Sequence, residues 1–288
     1  MAVNLTSLIL VPVGLAAALL IGGLLAGIDR RLTARLQARQ GPPLTQAWWD
    51  VVKLFGKRTR AVNPWQPFCA RISFAAAATA LVLLCYAANL LLILFVSATA
   101  GAFLVFGAMS SLSPWSQAGA QRQLWQLCCC EALLFCFAAG VSLVSGGFAP
   151  AALFAESQPL LLRAPLLFAA MLVVLAITMK KSPFDLAASH HAHQELVRGV
   201  YSEYGGADLA WLEMAHWLET VLVLALCGLF WATNPLAMVV VATGAFLAVI
   251  LLDNVVARLT WRWLAGRVLP AALVAAGLTV AWLAWSGP

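Results

Sequence analysis

The sequence predicts an all-α polytopic membrane protein: about eight transmembrane helices plus a cytoplasmic amphipathic helix lying in the membrane interface. Three observations predict it. Of 288 residues, 63% are hydrophobic and only 10% charged, with a mean hydropathy of +0.92, a charge content too low for a soluble domain of this size. Apolar runs near the length needed to cross a bilayer recur along the whole chain. These runs do not alternate with a period of two, which excludes a closed β-barrel.

A single transmembrane domain, 1–288, accommodates spans at about 4–27, 72–94, 97–113, 127–146, 164–180, 209–231, 236–253 and 267–285. The first has no basic residue before it and no small-residue cleavage site followed by a polar mature domain, so it reads as a retained span. Lys and Arg collect in or beside the segments 28–71, 114–126, 181–208 and 254–266, all on one side of an eight-span arrangement, and Arg163 is alone on the other. The positive-inside rule then predicts an inner-membrane protein with these loops in the cytoplasm and both termini outside. The net charge of +6 sits beside the membrane, where headgroups and topology account for it, so it does not argue for nucleic acid.

Seven cysteines lie mostly within or beside spans, and none forms a CxxC pair. Neither an iron–sulfur cluster nor a zinc site is expected in this chain. The run Cys128 to Cys130 reads as small, adaptable packing at a helix interface.

Three polar segments carry the functional expectation. In the first, Gly41, Pro42 and Pro43 break the chain, after which Trp48, Val51, Val52 and Phe55 recur at helical spacing opposite Asp50, Lys53 and Lys57. Such a helix suits the interface, whether as a plain membrane-surface anchor or as a docking element. In the second, Arg122 precedes Glu131, a carboxylate about one turn inside an apolar run. That carboxylate either serves proton conduction or an ion pair, or snorkels to the edge. The third, Lys180 to Glu219, holds the densest set of ionisable groups. Glu213, His216 and Glu219 recur every third residue, tracing a slowly turning stripe that suits a proton relay or polar helix packing. His190, His191 and His193 lack the i, i+4 spacing of a helical metal pair, so a loop-surface or proton-exchange role is expected and no metal.

Several motifs carry a resemblance over essentially the whole chain. Gln37-Ala-Arg39-Gln-Gly41-Pro42, the amphipathic helix reaching Lys53-Leu-Phe, Ser182-Pro183-Phe184-Asp185-Leu, Glu195-Leu-Val-Arg198-Gly199 and Glu203-Tyr204-Gly-Gly206 stand in the order of the membrane subunit of respiratory complex I that contacts the quinone cavity. Between Asp185 and Glu195 this chain departs from that family's glutamate-rich run. Its SHHAHQELV wording, with Ala215-His216-Trp217 and the stretch 253–263, resembles the corresponding subunit of Ech-type energy-converting nickel–iron hydrogenases.

The resemblance implies a role without a catalytic centre. The nickel–iron centre and the iron–sulfur clusters would belong to partners: the large and small hydrogenase subunits and an iron–sulfur subunit, supplied by ferredoxin. An antiporter-like membrane subunit would complete the assembly. Arg35, Arg39, Gly41, Pro42, Arg122, Pro183, Phe184, His190, His191, His193 and Arg198 are the expected docking residues. A charge change in the docked arm would act on Asp185, Glu195 and Glu203 and pass to Glu131, Glu213, His216 and Glu219. Alternatives within the same fold are a quinone-cavity subunit and a formate hydrogenlyase membrane subunit. Outside it stands a secondary transporter, against which the sequence shows no internal repeat.

Overall fold

The computed structural model describes residues 5–58, 61, 63–181, 187 and 198–286, with backbone alone for 5–10. Among these the chain is helical. The helices are α1 (Leu5–Leu36), α2 (Gln46–Phe55), α3 (Trp65–Cys85), α4 (Leu90–Met109), α5 (Pro114–Ser145), the single turn α6 (Leu160–Arg163), α7 (Pro165–Thr178), α8 (Gly206–Gly228), α9 (Pro235–Val255), the short α10 (Trp261–Trp263) and α11 (Leu269–Ser286). A π-turn, Leu264–Val268, joins α10 to α11. Seven helices are long and apolar enough to cross a membrane, and the eighth expected span is the shorter apolar α7. The protein is an all-helical polytopic membrane protein.

The helix boundaries follow local chemistry. Proline opens α5, α7 and α9, where its missing N–H costs nothing and its fixed φ suits the first turn. The Asn89 and Asn234 side chains accept from the backbone N–H of Leu91 and Leu236, each at 2.9 Å, capping α4 and α9. Gly146, at φ +72°, ends α5 in the left-handed conformation that glycine takes freely.

Three expectations need correction. The break between the second and third spans falls at 86–89 and not at 95–96, because Asn89 caps α4 and Ala87 turns the chain at φ 49° inside an otherwise unbroken apolar run. The segment 114–126 is helix, the first turns of α5, since Pro114 starts it and the Gln- and Ala-rich residues that follow favour helix. On α2 the buried face is Ala47 and Val51, and Val52 is 58% exposed, so the apolar residues divide between the bundle and its surroundings.

Helix α8 runs through the middle, packed against α1, α2, α3, α7 and α9. The core includes Phe137, Phe230, Leu133, Leu167, Met171, Leu218 and Leu222, with the Phe137 and Phe230 rings stacked at 5.3 Å and Phe168 edge-on to Phe230 at 5.1 Å. Glycines on α1 admit its neighbours. A Cβ on Gly23 would strike the Trp48 indole of α2, one on Gly27 the Leu44 carbonyl, and one on Gly22 the Trp217 Cβ of α8 at 2.7 Å. α2 is therefore pressed into the bundle, and Phe55 closes the contact by meeting Trp211 of α8 edge-on at 5.4 Å.

Candidate functional site

Two adjoining cavities open along α8. The first, about 300 Å³, lies between the C-terminal half of α1, the 39–42 turn, the end of α7 and α8. Asp29, Arg30, Arg39, Lys180, Lys181, Glu213, His216 and Thr220 set ionisable and polar groups on a wall that is otherwise mainly apolar, with Gly22, Leu25, Met179, Trp217 and Phe246 among its residues. The second, about 90 Å³, lies between α4, α5, α7 and α8 and is lined by Gln126, Cys130, Glu131, Lys180, Tyr201, His216 and Glu219, among others. Lys180 and His216 belong to both.

The stripe on α8 is thus divided between the two cavities. Glu213 faces the first and Glu219 the second, with His216 between them. Glu131 comes from α5 to the second, and its buried Oε2 has no hydrogen-bond partner there; nor has the Nε2 of Gln126, one and a half turns earlier. A polar cavity with such groups on its wall suits water or a proton-bearing partner. From the end of α7, the Lys180 ammonium donates to the Tyr201 hydroxyl at 2.9 Å and lies over the same ring at 4.0 Å. Burial pushes the Tyr201 phenol up, and the carboxylates Glu219 and Glu213 add to that effect, so it stays protonated.

At the mouth of the first cavity an ion cluster ties three helix ends together. Lys181 Nζ lies 2.6 Å from Asp29 Oδ1 of α1 and 3.2 Å from Asp253 Oδ2 of α9, and all three side chains are largely buried. Gln37 Nε2, just beyond α1, adds a bond to Asn254 Oδ1 of α9 at 3.1 Å. Sequence reasoning missed Asp29 and Asp253 as site residues. The signal was present, as lone carboxylates at the ends of the first and seventh apolar runs. Nearer the surface, Arg30 donates to Asp50 of α2 at 2.8 Å. Burial alone would raise the Asp50 carboxyl, but the bonds from Arg30 and Gln46 outweigh it and hold the carboxyl below its usual range.

The other expected residues scatter more widely. Arg39 and Pro42 line the first cavity, while Gly41 packs so closely that a Cβ would lie 2.9 Å from the Arg31 Cα. Arg35 is exposed at the end of α1, and Arg198 is exposed with a left-handed φ of 58°. Arg122 places its guanidinium 5.5 Å from the centre of the Trp261 ring, joining α5 to α10. Glu203 is half-buried in the turn before α8 and lines neither cavity. Pro183, Phe184, Asp185, His190, His191, His193 and Glu195 lie outside the described residues. Among the described residues no three His, Cys, Asp or Glu side chains group as metal ligands, and the seven cysteines are unpaired thiols.

The chain is similar to known proteins over this same architecture. It is 27% identical to hydrogenase-4 component C of Escherichia coli over 72% of its own length and 70% of that protein's. It is 29% identical to formate hydrogenlyase subunit 4 of the same organism, over 70% of each chain. A chain of the archaeal membrane-bound sulfane sulfur reductase, a respiratory membrane complex, superposes with a TM-score of 0.79 at 23% identity, covering 97% of this chain and all of that one, a likeness of fold. The sequence profile of the NADH dehydrogenase family matches residues 8–284, nearly end to end. The chain therefore belongs to the NADH dehydrogenase family, as a membrane subunit of the complex I-like oxidoreductase assemblies.

Proposed function

We propose that this chain is the membrane-anchoring and coupling subunit of an energy-converting hydrogenase complex. In this reading it docks the soluble nickel–iron and iron–sulfur arm and links ferredoxin-dependent proton reduction, or hydrogen oxidation, to proton or sodium translocation. The nickel–iron centre and clusters reside in the partner subunits, and an antiporter-like subunit lies beside this one in the cytoplasmic membrane. Both termini face outward and the 28–71, 114–126 and 181–208 segments face the cytoplasm.

One observation carries the reading. Titratable groups are found from the end of the bundle where α1, α7 and α9 meet, at Asp29, Lys181 and Asp253, through the walls of the two cavities, at Lys180, Glu213 and His216 and then at Glu219 and Glu131. Ionisable groups at membrane depth are retained where they serve ion movement or its coupling. The kinship with hydrogenase-4 component C and formate hydrogenlyase subunit 4 supports a hydrogenase partner. The quinone alternative calls for an apolar cavity near the 28–71 segment; the cavity there has a mainly apolar wall that also carries Arg30, Arg39, Lys180, Lys181, Asp29 and Glu213, and inhibition of the complex by quinone analogues would favour that alternative.

The experiment is affinity purification of the chain in mild detergent, with mass spectrometry of its partners and a nickel and iron assay. Hydrogenase subunits with both metals are expected; a metal-free chain without partners refutes the proposal. In the reconstituted complex, Glu131→Gln should leave hydrogen chemistry and assembly intact and abolish ion pumping. Loss of assembly would make Glu131 structural.

A further inference from the structure

We infer that Lys180 is a proton relay between the two cavities, taking part in coupling as a titrating group and not as a fixed charge. This rests on the coupling role proposed above. The argument is geometric. Lys180 and His216 are the residues that line both cavities, so they stand between the Glu213 side and the Glu131 and Glu219 side.

Lys180 lies just beyond α7 with φ 54° and closes the helix: its N–H meets the Ile177 carbonyl and that of Lys181 the Ala176 carbonyl, each at 3.0 Å, the same left-handed helix end that Ala38 and Ala87 form. From this turn its side chain reaches the walls of both cavities. There the ammonium meets the Tyr201 hydroxyl at 2.9 Å. The charged groups around it are Glu213 and Glu219 of α8 and Arg198. His216 of α8 and Glu131 of α5 face it across the cavities, and Lys181 with Asp29 stands on the outer wall.

The step balances simply. One N–H bond of the ammonium breaks as an O–H bond forms on a carboxylate of the second cavity, directly or through water. The neutral amine then takes a proton from the Glu213 and His216 side and is restored. Tyr201 accepts a hydrogen bond from the ammonium and, by rotating its hydroxyl, donates one to the amine, so it supports both states. Arginine could supply the charge and the donors but not the step, because its guanidinium does not release a proton in proteins.

The test uses the whole complex in liposomes, reading internal pH with a trapped dye during hydrogen evolution driven by reduced methyl viologen. Lys180→Met and Lys180→Arg should each lower protons moved per hydrogen formed by about tenfold or more, with hydrogen evolution changed less than about twofold. Tyr201→Phe, which keeps the ring and loses the hydroxyl, should lower the ratio severalfold. Full pumping in Lys180→Arg overturns the relay and leaves a fixed charge. Failure of all three variants to assemble also overturns it, in favour of a structural lysine. Glu131→Gln runs in parallel: if it too pumps like the wild type, the coupling reading itself fails, whereas uncoupling by Glu131→Gln with normal Lys180→Arg removes the relay alone.

Discussion

Replacing Lys181 by methionine should be among the most damaging single changes available in this chain. At 2.6 and 3.2 Å from two carboxylates, and with 8% of its side chain exposed, the ammonium gains about 5–6 kcal/mol of Coulomb attraction from each at an effective dielectric of about 20. Much of that is offset by the desolvation of three charges, so the net worth of the cluster is small. Truncation is different, because it leaves Asp29 and Asp253 buried, close together and uncompensated. The expected loss is about 3–5 kcal/mol, the usual cost of orphaning a buried charge. Asp253→Asn, which leaves a one-to-one pair of Lys181 with Asp29, should cost about 1–3 kcal/mol. The triple variant Asp29→Asn, Lys181→Met, Asp253→Asn should recover most of the loss, since no charge is stranded. Equilibrium unfolding of the detergent-solubilised chain in an SDS titration measures all three. If Lys181→Met costs no more than Asp253→Asn, or the triple variant is worse than the single, the cluster is not the buried ionic tie described here.

Two further outcomes follow from the contacts of α2. Gly27→Ala places a methyl against the Leu44 carbonyl oxygen, so α2 must shift from α1; a cost of about 1–3 kcal/mol is expected, with faster amide exchange across residues 44–55, and unchanged exchange would mean that this packing is slack. Asp50→Ala should cost less than about 1 kcal/mol, because the Arg30–Asp50 pair is 42% and 39% exposed and solvent screens it. The sign with pH is definite. The folded carboxyl titrates below its ordinary value of 3.8, so its contribution is present above that value and disappears as the pH falls below it, and unfolding of the wild type and the variant should converge in acid.

Much of this architecture is legible from local chemistry, and the failures have two causes. Long apolar runs mark the spans because lipid leaves the backbone no alternative to helix, and Pro114, Pro165 and Pro235 mark three starts. The turn at 86–89 is hidden because Ala87 and Ala88 are as compatible with an apolar run as with a bend, and the single Asn89 that caps α4 barely moves a hydropathy average. The stripe Glu213, His216, Glu219 is visible in its spacing, since one helix carries all of it. The tie between Asp29, Lys181 and Asp253 is not, because its members come from three helices and leave no period in the chain. Neither is the double position of Lys180, which depends on where α7 ends relative to α5 and α8.

The placement of ionisable groups follows burial. Over its most apolar 18 residues α8 is 67% buried, against 22% for α1 and α9 and 28% for α11. A carboxylate on α8 therefore meets cavity walls and polar partners, whereas one on the bare face of α9 meets lipid or an equally apolar neighbour. Val240, on that face, is 67% exposed. Val240→Glu, one and a half turns inside α9, should then lower insertion, by less than the about 2.5–3.5 kcal/mol of a helix centre, while Glu219→Leu, near the middle of α8, should insert at least as well as the wild type and lose function instead. Glycosylation-tagged insertion assays of the two helices compare the variants directly. Equal insertion of Val240→Glu and wild type would mean that α9 borders water or a polar partner along its length. The division of labour between a charged central helix and apolar outer ones would then have to be abandoned.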